Sequence, residues 1–274
     1  MTHDTILSPS LLNALAIFIV ATGVLMVAAH TSLLALAARR TTLPPRTQFI
    51  APLFAAILLA GWLAWAVLAV PKRVVIPEPL ALPGQVMQNP GLLLEMTAFV
   101  GLGVVVIFAS KTMRVLNAAT PPAWLIGVQV YRVAGVMFLW PFLASSALPT
   151  LFAVCAGVGD VITGIAAPFV ASAVARNRPG AHAKAVLWNY FGILDLVVAT
   201  ITAVLSHSTN ISRFPLVIVP LFLGPPLGIL THIYSLRNLA LSRSRMSTSE
   251  GESDSANASA SRSRMTESKP AFQS

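Results

Sequence analysis

At 274 residues, 56% of them apolar and 10% charged, the chain lies far below the roughly one quarter of charged residues usual in soluble domains. It reads as an all-α, polytopic membrane protein with no room for a soluble catalytic domain, and its excess of 18 basic over 9 acidic residues does not indicate nucleic acid, because the basic residues stand in the connections between apolar runs. The single cysteine, Cys155, excludes an intramolecular disulfide and any multi-cysteine metal or iron-sulfur site.

Taken in chain order, runs near the twenty residues needed to cross a bilayer occupy 11–38, 49–70, 91–109, 123–143, 151–174, 185–205 and 215–234, within a membrane domain predicted over 1–240. Ahead of the first run there is no basic stretch, only Asp4, and the run ends in Arg39 and Arg40, so it reads as a retained helix and not a cleaved signal. It is longer than one crossing requires, which predicts tilt, and it carries His30 towards its carboxyl end. Between the second and third runs, Pro71 to Pro90 is proline-rich and predicts an extended connector or the rim of an entrance. The third run contains Glu95 and is the least regular of the set.

Loop charge supports counting that run. With a cytoplasmic carboxyl terminus and seven crossings, the inner side holds Arg39, Arg40, Arg46, Lys111, Arg114, Arg176, Arg178, Lys184, Arg237, Arg243 and Arg245, and the outer side only Lys72, Arg73 and Arg213. This bias puts the amino terminus outside.

The next three runs each carry an ionisable residue near the middle: Arg132, Asp160 and Asp195. A charge at the bilayer centre costs about 2.5–3.5 kcal/mol even on lenient insertion scales, so such residues are expected to meet one another or to line a wet cavity. Gln129 and Gly135 flank Arg132 at three-residue spacing, with Tyr131 beside it. Gly157 and Gly164 share a helical face with Asp160, and Gly192 precedes Asp195 by three residues, with Asn189 about two turns away. Glycine on these faces allows close backbone approach. Short connections make consecutive helices neighbours, so the three charges are expected at one depth. One arginine against two carboxylates leaves one negative charge in excess, which a bound proton or cation would balance. A buried ion pair that only fixes helix register predicts the same pattern, and both readings stand at this point.

The last run contains Pro215, Pro220, Gly224, Pro225, Pro226 and Gly228, which predicts a break in its helix near mid-membrane, either a simple kink or the discontinuous type found in transporters. His30 and His232 fall at similar depth and are the candidates for a haem or quinone site, although interfacial or hydrogen-bonded histidine is the favoured explanation. All four lysines lie outside the runs, which argues against a retinal Schiff base, and no phosphate loop, zinc motif or serine nucleophile is present, so no cofactor is expected and the enzyme reading is lowered without being excluded. Residues 241–274 are serine-rich, repeat Ser-Arg-Ser-Arg-Met at Ser242 and Ser261, and predict a solvated, unfolded cytoplasmic tail.

The strings WLIGVQVYRVAGVMFL, LPTLFAVCAGVGDVITGIAAP, LWNYFGILDLVVA and FPLVIVPLFLGPPLGILTHIYSL resemble an uncharacterised family of bacterial integral membrane proteins. The resemblance covers most of the chain after residue 120 and implies a bacterial cytoplasmic membrane. It implies no activity and no functional residue. The reading that follows from the residues themselves is a small-solute or proton-coupled transporter, with a non-catalytic scaffold and a membrane redox protein as alternatives. Its partners are the bilayer and a small solute or proton.

Overall fold

A computed structural model describes residues 8–74, 90–145, 148–205 and 219–267. Among these the chain is all helical, without strands. The first helix, α1 (Pro9–Ala38), starts where Ser8 accepts a hydrogen bond from the Leu11 N–H through its side chain and Pro9 fills the first turn. A short turn leads into α2 (Pro45–Leu68), and the Gln48 side chain locks that turn by donating to the carbonyls of Thr41 and Leu43 at 3.2 and 2.9 Å. After the short α3 (Val70–Val74), the connector of residues 75–89 lies outside the described residues.

The third predicted span departs from a plain crossing. Helix α4 (Pro90–Ala109) gives way at Ser110, whose side chain caps α5 (Lys111–Ala119), and the axes of Leu94–Val106 and Lys111–Ala119 differ by 81°. The reason is in α5 itself, which is amphipathic: Leu116 is buried while Lys111 and Arg114 need water. Counted by length and composition, six helices among the described residues can cross a membrane, and seven if this bent pair is one span.

The fourth predicted span is not one continuous α-helix. It consists of α6 (Pro122–Gly127), a 3-10 segment (Val128–Gly135) and α7 (Val136–Ser145). Helix α8 (Thr150–Ala175) is the hub, packed against the 3-10 segment, α6, α7 and α9 (Ala181–Leu205). The α8–α9 turn uses left-handed backbone at Asn177 and Gly180, with φ of 48° and 72°.

The last helix, α10 (Val219–Glu267), corrects one expectation. It is continuous through Gly224, Pro225 and Pro226, where the residues predict a break. No proline interrupts the sequence between Pro226 and Pro270, so a helix already held by packing extends without a new nucleation step. At the proline pair one of the two lost helical bonds is made up from outside. Pro226 has no N–H for the Phe222 carbonyl, and the Trp62 indole of α2 donates to that oxygen instead, at 2.7 Å. Trp62 is fixed by stacking on Phe99 of α4 at 4.1 Å and on Trp65 at 4.5 Å. Exchanging Trp62 for Phe keeps the ring but strands the carbonyl. We expect a loss of about 1–2 kcal/mol, read as a lower unfolding midpoint in detergent, and no change would show that water replaces the indole.

Outward faces are apolar throughout the bundle: Ile17, Phe49, Phe169 and Leu187 are each at least 70% exposed. Side chains of this size are left uncovered on that scale where the solvent is hydrocarbon.

Candidate functional site

The site begins with the geometry of the 3-10 segment. Three residues per turn stack positions i and i+3, so Gln129, Arg132 and Gly135 lie in one buried row while Val130, Val133 and Val136 form an exposed one. Arg132 thereby enters the bundle centre, its side chain 1% exposed.

There its guanidinium is used in three directions. Nε donates to Asp160 Oδ1 of α8 at 2.7 Å, and Nη2 pairs with Asp195 Oδ2 of α9. Nη1 reaches the Gly192 carbonyl at 3.3 Å and His232 Nε2 of α10 at 3.2 Å. Since arginine only donates, His232 Nε2 accepts, and its Nδ1–H is therefore the donor to Asn189 Oδ1, at 2.9 Å. The Asn189 amide completes the chain by donating to the Ala185 carbonyl at 2.8 Å. Four segments thus meet on one planar cation, the arrangement that suits arginine better than lysine.

Close backbone approach makes this possible. A Cβ at Gly164 would lie 2.5 Å from the Val133 nitrogen, so α8 can touch the 3-10 backbone only with glycine there. A Cβ at Gly157 would meet Leu139 of α7, one at Gly192 would strike the His232 ring, and one at Gly159 would fall on the Asp195 carboxylate. A Cβ at Gly224 would meet nothing within 4 Å.

The structure brings together Arg132, Asp160, Asp195 and Asn189 as the sequence predicts. Gln129 supports them from the next turn, donating to the Gly228 carbonyl at 3.3 Å. Tyr131 lies on a neighbouring face, and its buried hydroxyl has no hydrogen-bond partner. Sequence reasoning missed His232 as a member of the cluster and placed it with His30. The two rings are held separately: His30 Nδ1 donates to the Met26 carbonyl at 2.8 Å and Nε2 lies 3.1 Å from Thr231 Oγ1. Three of the four ring nitrogens hold hydrogen bonds to protein groups and the fourth, His30 Nε2, lies against the Thr231 hydroxyl, so axial ligation of a haem would require His232 to give up its bonds and Thr231 to move. Gly159 was also missed, although its position beside Asp160 is visible in the sequence.

One cavity adjoins the site and a second lies apart from it. The smaller, about 50 Å³, is bordered by Asp160, Arg132 and Tyr131 and by residues of α1 and α10. The larger, about 220 Å³, lies between the α1–α2 hairpin and α4 and α10. Its polar lining groups, His30, Thr120, Thr231 and Tyr234, each hold a hydrogen bond within the protein, and the rest of its wall is apolar.

The fold defines an all-helical protein with helices long and apolar enough to span a membrane, organised around a buried arginine clamped by two carboxylates. The chain belongs to the family of the domain of unknown function DUF8737, whose model matches residues 89–240, more than half of its length. The match takes in every residue of the cluster and leaves α1 and α2 outside. No curated protein and no solved structure matches the chain.

Proposed function

We propose that this protein moves a small solute or a proton across a membrane, and that the Arg132–Asp160–Asp195 cluster is where charge is loaded and released during the cycle. The observation that carries the reading is the charge count at the clasp. One guanidinium faces two carboxylates in the bundle interior, and a cavity borders Asp160. In a low-dielectric site the remaining negative charge calls for a proton or a cation, and each change of occupancy would be felt by the four segments that share Arg132. The loop charges support an outside amino terminus, and the resemblance supports a bacterial cytoplasmic membrane.

A second reading is favoured by the same geometry: a scaffold in which the guanidinium only fastens helices. Flux measurements separate them. In proteoliposomes, Asp160→Asn and Asp195→Asn are each expected to abolish solute or proton flux while the folded yield stays near that of the unaltered chain. Unchanged flux would overturn the transport reading, and a fall in folded yield with no flux in either protein would favour the scaffold.

A further inference from the structure

Away from the charge cluster, the larger cavity has a wall suited to hydrocarbon. We infer that it holds one acyl chain of an anionic phospholipid whose phosphate rests against Arg237. The space, about 220 Å³, is walled by apolar side chains such as Leu59, Phe99 and Leu230, and the polar groups in the wall already hold hydrogen bonds. An apolar cavity of about 150 Å³ stays dry and takes a benzene ring, so this one has room for a stretch of lipid tail. It also lies open to the outer face of the bundle. Leu58 of α2 and Leu102 of α4, both in its wall, are 53% and 64% exposed, so a tail enters sideways from the hydrocarbon between these two helices.

The group that selects the head stands one turn further along α10. Tyr234 borders the cavity and donates its hydroxyl to the Met113 carbonyl of α5 at 3.2 Å, and Arg237 follows three residues later on the same helical face. Its guanidinium lies over the Phe108 ring of α4, 5.2 Å from the centroid, just beyond Val106 of the cavity wall. Nη1 is buried and has no hydrogen-bond partner. No carboxylate of the surrounding helices is placed to serve it: α1, α2 and α5 contain none, Glu95 lies towards the opposite end of α4, and α10 has none before Glu250. Helix α5, bent 81° from α4 and amphipathic, brings the exposed Lys111 and Arg114 to the same end of the bundle. A phosphodiester supplies the missing acceptor and the countercharge, while its chain runs past Tyr234 into the cavity. Basic pockets between membrane helices hold anionic headgroups in this way. A head that carries its own cation would meet repulsion there.

The test uses the full chain in detergent, with radiolabelled dioleoyl phosphatidylglycerol as the probe and unlabelled phosphatidylglycerol, dioleoyl phosphatidylcholine and free glycerol phosphate as competitors. Saturable binding of one lipid per chain is expected, displaced by the unlabelled lipid and not by an equal amount of phosphatidylcholine or of glycerol phosphate. Arg237→Gln should weaken it about tenfold, the effect of one lost charge-assisted hydrogen bond. Ala55→Phe puts a ring into the cavity from α2 and should abolish it, whereas Phe169→Ala, on the outer face of α8, should leave it unchanged. Melting in lipid-free detergent checks that each variant folds, and if Ala55→Phe does not, Arg237→Gln and the competitors decide. Equal displacement by phosphatidylcholine would mean an apolar groove blind to charge. Displacement by glycerol phosphate would mean an anion site that needs no chain, and binding indifferent to the substitutions would put the lipid elsewhere. Each of these results, or the absence of saturable binding, would overturn the inference.

Discussion

Replacing Arg132 by methionine should destabilise the protein by about 3–5 kcal/mol, because it leaves Asp160 and Asp195 facing each other in the bundle interior with no countercharge. The same change strands the His232 Nε2 lone pair, which now accepts from Nη1, and removes the second hydrogen bond to the Gly192 carbonyl. The triple substitution R132M/D160L/D195L removes all three charges and should recover most of the loss, since buried ion pairs exchanged for apolar side chains of similar volume are often neutral or better. Unfolding midpoints of the three proteins in one detergent measure both effects. A single variant as stable as the unaltered chain would mean that the clasp contributes nothing. A triple variant as unstable as the single one would shift the weight to the hydrogen bonds with Gly192 and His232. The triple variant also has a functional use. A stable bundle without flux is the outcome the transport reading requires.

The second large effect is expected from one methyl group. Gly159→Ala places a Cβ on the Asp195 carboxylate, which can move aside only by leaving Arg132. Overpacking alone costs about 1–3 kcal/mol, and losing a charge-assisted hydrogen bond adds a similar amount, so a fall of about 3 kcal/mol is expected. Gly61→Ala is the control. It lies inside α2 with nothing within 4 Å, and removing a helical glycine there should be neutral or gain up to about 1 kcal/mol. Equal melting behaviour of the two variants would show that the α8–α9 contact yields without strain.

Much of this architecture is legible in the sequence, because bilayer thickness turns hydropathy into helix length and makes each interior charge conspicuous. The meeting of Arg132 with Asp160 and Asp195 followed from depth and chain order alone. His232 was not legible, because its partners lie on helices 43 and 100 residues earlier in the chain and no local pattern marks them. The 3-10 segment was legible in principle. Gln129, Arg132 and Gly135 recur every third residue, as do Val130, Val133 and Val136, and reading that pattern with an α-helical period concealed it. At Pro225 and Pro226 the residues predict a broken helix, and tertiary contacts override them: a tryptophan 160 residues away supplies the donor that the chain lacks. The bend at Ser110 illustrates the opposite case, since the amphipathic pattern of Lys111–Ala119 is visible once the hydropathy window stops dominating.

The tight winding around Arg132 also sets a length and an angle. A 3-10 turn rises about 2.0 Å per residue against about 1.5 Å in an α-helix, so the eight residues from Val128 to Gly135 run about 4 Å longer than α-helical winding would make them. Each residue is also turned about 20° further around the axis. Rewinding the stretch to α geometry from its start at Val128 would therefore draw α6 and α7 about 4 Å closer and swing Arg132 through about 80°, off both carboxylates at once. Grip on the two aspartates and the reach of this segment across the membrane are one mechanical variable, a screw whose thread is the buried row of Gln129, Arg132 and Gly135.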